Sequence, residues 1–139
     1  MNVVKAIPLF TYLWLAYNLL LLTGNMPALL DHQLAALTLI SGAQWTLKVS
    51  ELFLALGVVF LYVEIFKATR TGSASVIDHT VSMLVFVAFL IELITVKGAG
   101  NSTFAILALM SMLDVVAGFT VSIIAARRDF SVGNPHSGD

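Results

Sequence analysis

Residues 103–126, TFAILALMSMLDVVAGFTVSIIAA, carry a single charged side chain, Asp114, near their centre. A helix needs about 20 apolar residues to cross a hydrocarbon core of about 30 Å, and this stretch is long enough. A central aspartate costs roughly 3 kcal/mol to insert, so Asp114 requires a partner other than lipid. Ser111, Ala117, Gly118, Val121, Ser122 and Ala125 share its helical face. Small residues at such spacing let a second helix approach closely, which predicts Ser111, Gly118 and Ser122 as packing positions around the acid.

Working outward, three further apolar runs stand at 6–23, 47–66 and 76–96. Together the four predict an all-α integral membrane protein, a four-transmembrane-helix antiparallel bundle forming one domain over residues 1–129. The remaining residues 130–139, FSVGNPHSGD, predict a disordered cytoplasmic tail. A signal peptide headed by Lys5 is the competing reading of the first run. Its length, and the absence of a small-residue cleavage pattern at Thr23-Gly24-Asn25, favour a retained helix. The loops 67–75, KATRTGSAS, and 97–102, KGAGNS, are short, which makes helices 2, 3 and 4 antiparallel neighbours. A longer outer loop, 24–45, joins helices 1 and 2. There Asn25 caps a short helix with Pro27 in its first turn, and Leu30, Leu34 and Leu37 then share a face suited to the outer interface. An extended conformation over 37–41 is the alternative. No internal repeat is visible.

Composition agrees with a membrane setting. The chain has 139 residues, 59% of them hydrophobic and 11% charged, where a soluble domain carries about 25% charged residues. A net charge of −1 excludes a broad nucleic-acid footprint. Without cysteine there are no thiolate zinc sites, thiol nucleophiles or disulfides. Lys5, Lys67, Arg70, Arg127 and Arg128 fall on one side of the four-span arrangement, with Lys48 and Lys97 on the other. The positive-inside rule then predicts both termini inside, N-in and C-in.

The intramembrane polar residues form two groups by depth. Asn18, Lys48, Glu51, Glu92 and Asp114 predict an ion-binding or structural cluster in the outer half. Lys48 lies three residues before Glu51, at side-by-side spacing, and Lys97 is placed to fold back toward Glu92. Trp14 and Tyr17 share a face with Phe10. On the inner side stand Glu64, Asp78 and His79. Ser75-x-x-Asp78 matches a helix N-terminal capping pattern, Glu64 sits one turn before Lys67, and His79 reads as a hydrogen-bonded interfacial residue.

Catalytic patterns are missing from the sequence. It has no His-Glu-x-x-His pair, no paired haem ligands, no Gly-rich phosphate loop, and no serine and histidine at helical spacing with an orienting carboxylate at similar depth. The sequon Asn101-Ser102-Thr103 lies in a tight turn, where Asn101 or Ser102 serves more simply as the cap of helix 4. In helix count and loop length the chain resembles the small multidrug resistance transporters. That family relies on a glutamate in its first helix, and helix 1 here carries no acid, so its mechanism does not transfer.

Two functions follow as expectations. The first is a non-enzymatic accessory or scaffold component of a membrane assembly, completed by a membrane-protein partner or a second copy. The second is a minimal homo-oligomeric proton- or cation-coupled transporter or channel using Asp114, Glu51 and Glu92. No enzyme activity, metal, cofactor or nucleic-acid partner is expected; the lipid bilayer is. Short loops and the lack of cysteine point to a bacterial inner membrane.

Overall fold

A computed structural model describes residues 7–69 and 73–132. The elements in order are α1 (Leu9–Leu21), α2 (Met26–Asp31), β1 (Gln33–Thr38), β2 (Gln44–Lys48), α3 (Val49–Ala68), α4 (Ser73–Thr95) and α5 (Ser102–Val132). A 3₁₀ turn, Lys97–Ala99, joins α4 to α5.

Three of these helices are long and apolar enough to cross a membrane, over Val49–Ala68, Ile77–Thr95 and Ser102–Arg128. They match the predicted runs to within a few residues. The first run behaves differently. Pro8, which lacks an N–H, stands at the N-cap of α1, and the helix ends after 13 residues. At 1.5 Å per residue it is about 20 Å long, shorter than the hydrocarbon core. At the other end of the chain, α5 runs through Val132, so residues 130–132 are helical rather than tail. The rest of the expected tail, together with Lys5 and Arg70, lies outside the described residues.

The helix centres are held by α5. It packs along both α3 and α4, and α1 also lies against α3 and α4. Only 17% of the apolar stretch of α3 is buried within the chain, against 39% of that of α5, so α5 is the central helix. Most of the large apolar side chains of α3 and α4 point outward, as lipid contact demands.

Below the strands the core is aromatic. Tyr17 of α1 meets Phe53 of α3 edge-on, with centroids 5.5 Å apart, and Phe104 of α5 at 4.6 Å; Phe89 of α4 completes the cluster 5.1 Å from Phe104. Offset aromatic pairs of this kind add about 0.5–1.5 kcal/mol each beyond area burial. Gly57 lets α3 close on α5. A Cβ there would lie 2.7 Å from Met110 Sδ and 2.9 Å from Leu107 Cδ2.

The 24–45 segment corrects the sequence reading. Asn25 does precede α2 and Pro27 does sit in its first turn, but the helix stops at Asp31. Leu34 and Leu37 therefore stand on a strand, not on a continued helix face. The antiparallel ribbon β1–β2 pairs Leu37 with Trp45 and Ala36 with Thr46, and Gly42 turns it at φ 84°, a left-handed conformation glycine adopts without strain. The end of the bundle bearing this ribbon is called the hairpin end below, and the end where α5 finishes the tail end.

Asn101 caps α5 as expected. Its Oδ1 accepts the Phe104 N–H at 3.1 Å, while its Nδ2 donates to the buried Tyr17 hydroxyl at 2.6 Å. One side chain thus ties the α4–α5 turn to α1. Asn101→Ala is expected to cost about 1 kcal/mol for the cap, with Tyr17 losing its donor in addition. The midpoint of unfolding in mild detergent, compared with Tyr17→Phe, separates the two contributions.

Candidate functional site

Helices α1, α3, α4 and α5 meet at a buried ionic network in the tail half. Glu64 of α3, 2% exposed, accepts the backbone N–H of Leu9 at 2.6 Å through Oε1. It thereby fills one of the unpaired donors at the start of α1 and places a carboxylate where a helix N-terminus favours negative charge. Its Oε2 pairs with Lys67 Nζ at 2.9 Å, and the same ammonium reaches Asp78 Oδ1 of α4 at 3.0 Å. Asp114 of α5 completes the group. Its carboxyl faces Glu64, Asp78 and Lys67 and is hydrogen-bonded to Ser82 of α4.

The polar seam between α4 and α5 continues toward the tail end. His79 Nε2 and Ser122 Oγ are hydrogen-bonded at 2.9 Å, and the imidazole packs against Phe119 with centroids 5.6 Å apart. Gly118 makes the space for it. A Cβ on Gly118 would lie 2.6 Å from His79 Nδ1, so the Gly118–Ser122 pair forms a slot for a ring rather than a bare backbone contact.

This placement divides the residues expected to form one outer cluster. Asp114 belongs to the tail-half network, because the tight turn at Lys97–Ala99 sets Ser82, not Glu92, opposite it. Asn18 and Glu92 do come together, with Asn18 Nδ2 donating to Glu92 Oε2 at 3.0 Å and to Trp14 O at 3.0 Å. Lys48 turns to Asp31 instead, Nζ to Oδ1 at 2.6 Å, and this pair raises the Lys48 ammonium above its ordinary titration range. Glu51 is exposed and accepts the Lys48 backbone N–H at 3.0 Å, a capping role at the start of α3. Of the packing positions, Ser111 is fully buried beside Asp114 with no hydrogen-bond partner for its hydroxyl.

The inner residues are also redistributed. Glu64 pairs with Lys67 as expected. α4 begins at Ser73, which puts Ser75 inside the helix and Asp78 past its first turn, so Asp78 is an ion-pair partner rather than a cap. Ser82 and Asp31 were not singled out by the sequence reading. A usable signal existed for Ser82: it stands as far before Gly98 as Asp114 stands beyond it.

Chemically, the network sets the carboxyls of Glu64, Asp78 and Asp114 against the ammonium of Lys67 among the described residues. Asp114 Oδ2 is buried without a hydrogen-bond partner. Among the described residues no group of three or more His, Asp or Glu side chains is arranged to hold a metal ion.

No family model matches this chain, and no curated protein or solved structure is significantly similar to it. The fold and the network together define a mostly helical protein with three helices fit to cross a membrane.

Proposed function

We propose that the chain is a four-span membrane protein, N-in and C-in, that acts without catalysis as an accessory or scaffold component of a membrane assembly. The observation that carries this reading is the tail-half network, in which α1, α3, α4 and α5 each contribute a group and the groups are spent on one another. Charges used in this way fix helix order and register inside a bundle that hydrophobic force alone cannot specify in lipid. In this reading α1 is the short span, and local thinning of the bilayer takes up its mismatch. Lys67, Arg127 and Arg128 at the tail end are the described part of the positive-inside signal. A bacterial inner membrane is the proposed location.

The native mass of the protein extracted in mild detergent, with co-purifying chains identified, tests this. A stoichiometric foreign partner or a defined assembly is expected. A free monomer that co-purifies with nothing contradicts it.

A second reading, a homo-oligomeric proton- or cation-coupled transporter, is favoured by one observation: two carboxylates share one ammonium, and a third carboxyl facing them, Asp114, keeps an unpartnered oxygen. Glu51, exposed and capping, drops out of that reading, and Glu92 joins it only as a separate station beside Asn18. Under the scaffold reading, Asp114→Asn retains the Ser82 contact and leaves assembly intact. Under the transport reading, the same substitution abolishes acid-driven flux in reconstituted vesicles.

A further inference from the structure

The ribbon β1–β2 is amphipathic by strand alternation. Residues directly opposite in an antiparallel pair share a face, so Ala35 and Leu37 of β1 stand with Leu47 and Trp45 of β2. On the other face Ala36 stands with Thr46 and Thr38 with Gln44, and a hydrogen bond of 2.9 Å from Gln44 Nε2 to Thr38 Oγ1 marks that face as the polar one. The tip adds Leu39 and Ile40, the latter fully exposed. Residues 33–47 contain no charged side chain. Among the described residues nothing covers the apolar face, where Leu37 and Trp45 are 56% and 45% exposed.

The position of the ribbon says what covers it. β2 passes directly into α3, whose first residue, Val49, opens an apolar stretch fit to cross a membrane. The ribbon leaves that helix at Lys48, and Lys48 is tied to the exposed Asp31 at 2.6 Å, while Val49 N–H bonds His32 O at 3.1 Å. This charged staple belongs in water or among headgroups, so the base of the ribbon is fixed at the boundary of the hydrocarbon. A two-stranded ribbon is marginally stable alone and gains from burying one face. Its outer edges carry unpaired backbone N–H and C=O groups, which hydrocarbon does not tolerate, so it cannot sink deeply. A tryptophan and leucines on one face with threonine and glutamine on the other suit the headgroup level, where amphipathic aromatic rings collect.

We infer that the β1–β2 ribbon lies flat on the bilayer at the hairpin end, with Leu37, Trp45 and the Leu39–Ile40 tip in the lipid interface and Thr38, Gln44 and Thr46 facing water. The occupant of the apolar face is lipid, continuous with the lipid that surrounds α3. The ribbon therefore holds the start of α3 at a fixed depth.

The chain has no cysteine, so single L37C and T38C variants each accept one nitroxide label. Both variants are reconstituted in phosphatidylcholine vesicles, and collisions with oxygen, which concentrates in lipid, are compared with collisions with a water-soluble nickel chelate. Alternation is expected, with the label at Leu37 favouring oxygen and that at Thr38 favouring the chelate by at least a few-fold. Equal exposure of both labels to the chelate overturns the inference. A label at Leu37 shielded from both reagents and broadened by a neighbouring label shows that a second copy covers the face, and also overturns it. Shielding without broadening overturns it too, since the chain itself then supplies the cover. If L37C perturbs the ribbon, quenching of Trp45 in a W14F background by lipids brominated near the headgroup decides instead, and stronger quenching by aqueous iodide contradicts the inference.

Discussion

Replacing Lys67 with methionine is expected to cost the bundle about 3–5 kcal/mol, the range for breaking a buried ion pair by removing one partner. Lys67 holds the carboxylates of Glu64 on α3 and Asp78 on α4 together. Methionine keeps the length of the side chain and deletes the charge, leaving Glu64, Asp78 and Asp114 facing one another. The variant unfolds at lower denaturant or temperature in mild detergent. The triple variant Lys67→Met, Glu64→Gln, Asp78→Asn recovers part of the loss, because the two amides are neutral and still able to hydrogen-bond. Groups sharing one network couple by about 0.5–3 kcal/mol, so the triple variant measures whether the three act as a unit. A Lys67→Met protein as stable as the parent removes the network as the structural centre.

The second large effect is steric. Gly118→Ala places a methyl 2.6 Å from His79 Nδ1, and the ring is held between Phe119 and its bond to Ser122, so it cannot swing aside cheaply. Overpacking of this kind costs typically 1–3 kcal/mol. Gly57→Ala gives the contrast. Its methyl would meet the ends of Met110 and Leu107, flexible side chains that can move, and the expected cost is under about 1 kcal/mol. Adding His79→Ala to Gly118→Ala relieves the clash, so the second substitution costs less in that background than in the parent. Thermal unfolding of the four proteins gives the coupling; strict additivity contradicts the slot.

The spanning helices were legible because a long apolar run has few alternatives, and Asp114 was legible as protein-facing because small residues surround it. The partners of Asp114 were not legible from depth estimated helix by helix. Counting residues from each predicted end ignores how tightly two helices are joined, whereas reflecting Asp114 through the turn at Gly98 points to Ser82 directly. Glu64 and Lys67 were read as neighbours from helical spacing, but their link to Leu9 and Asp78 depends on how α1 and α4 lie against α3, which no local pattern encodes. The ribbon is only partly legible, as the extended alternative over 37–41, for a local reason: Leu30, Leu34 and Leu37 fit a helical face, and the alternation that makes β1 amphipathic is diluted by Ala35 and Ala36. Pro8 likewise shortens α1 in a run that hydropathy alone extends.

The central claim is that the tail-half network is sealed at Asp114, where Glu64, Asp78, Ser82 and Asp114 are buried together. An S82C variant tests it most directly, because Ser82 is buried against Asp114 and the parent chain contributes no thiol. Oriented membrane vesicles are treated from each side with a membrane-impermeant thiol reagent, with T38C on the exposed polar face of the ribbon as the reactive control. The sealed network predicts labelling of T38C from one side and no labelling of S82C from either. Labelling of S82C from the tail side in folded protein would contradict it and establish a water path to Asp114.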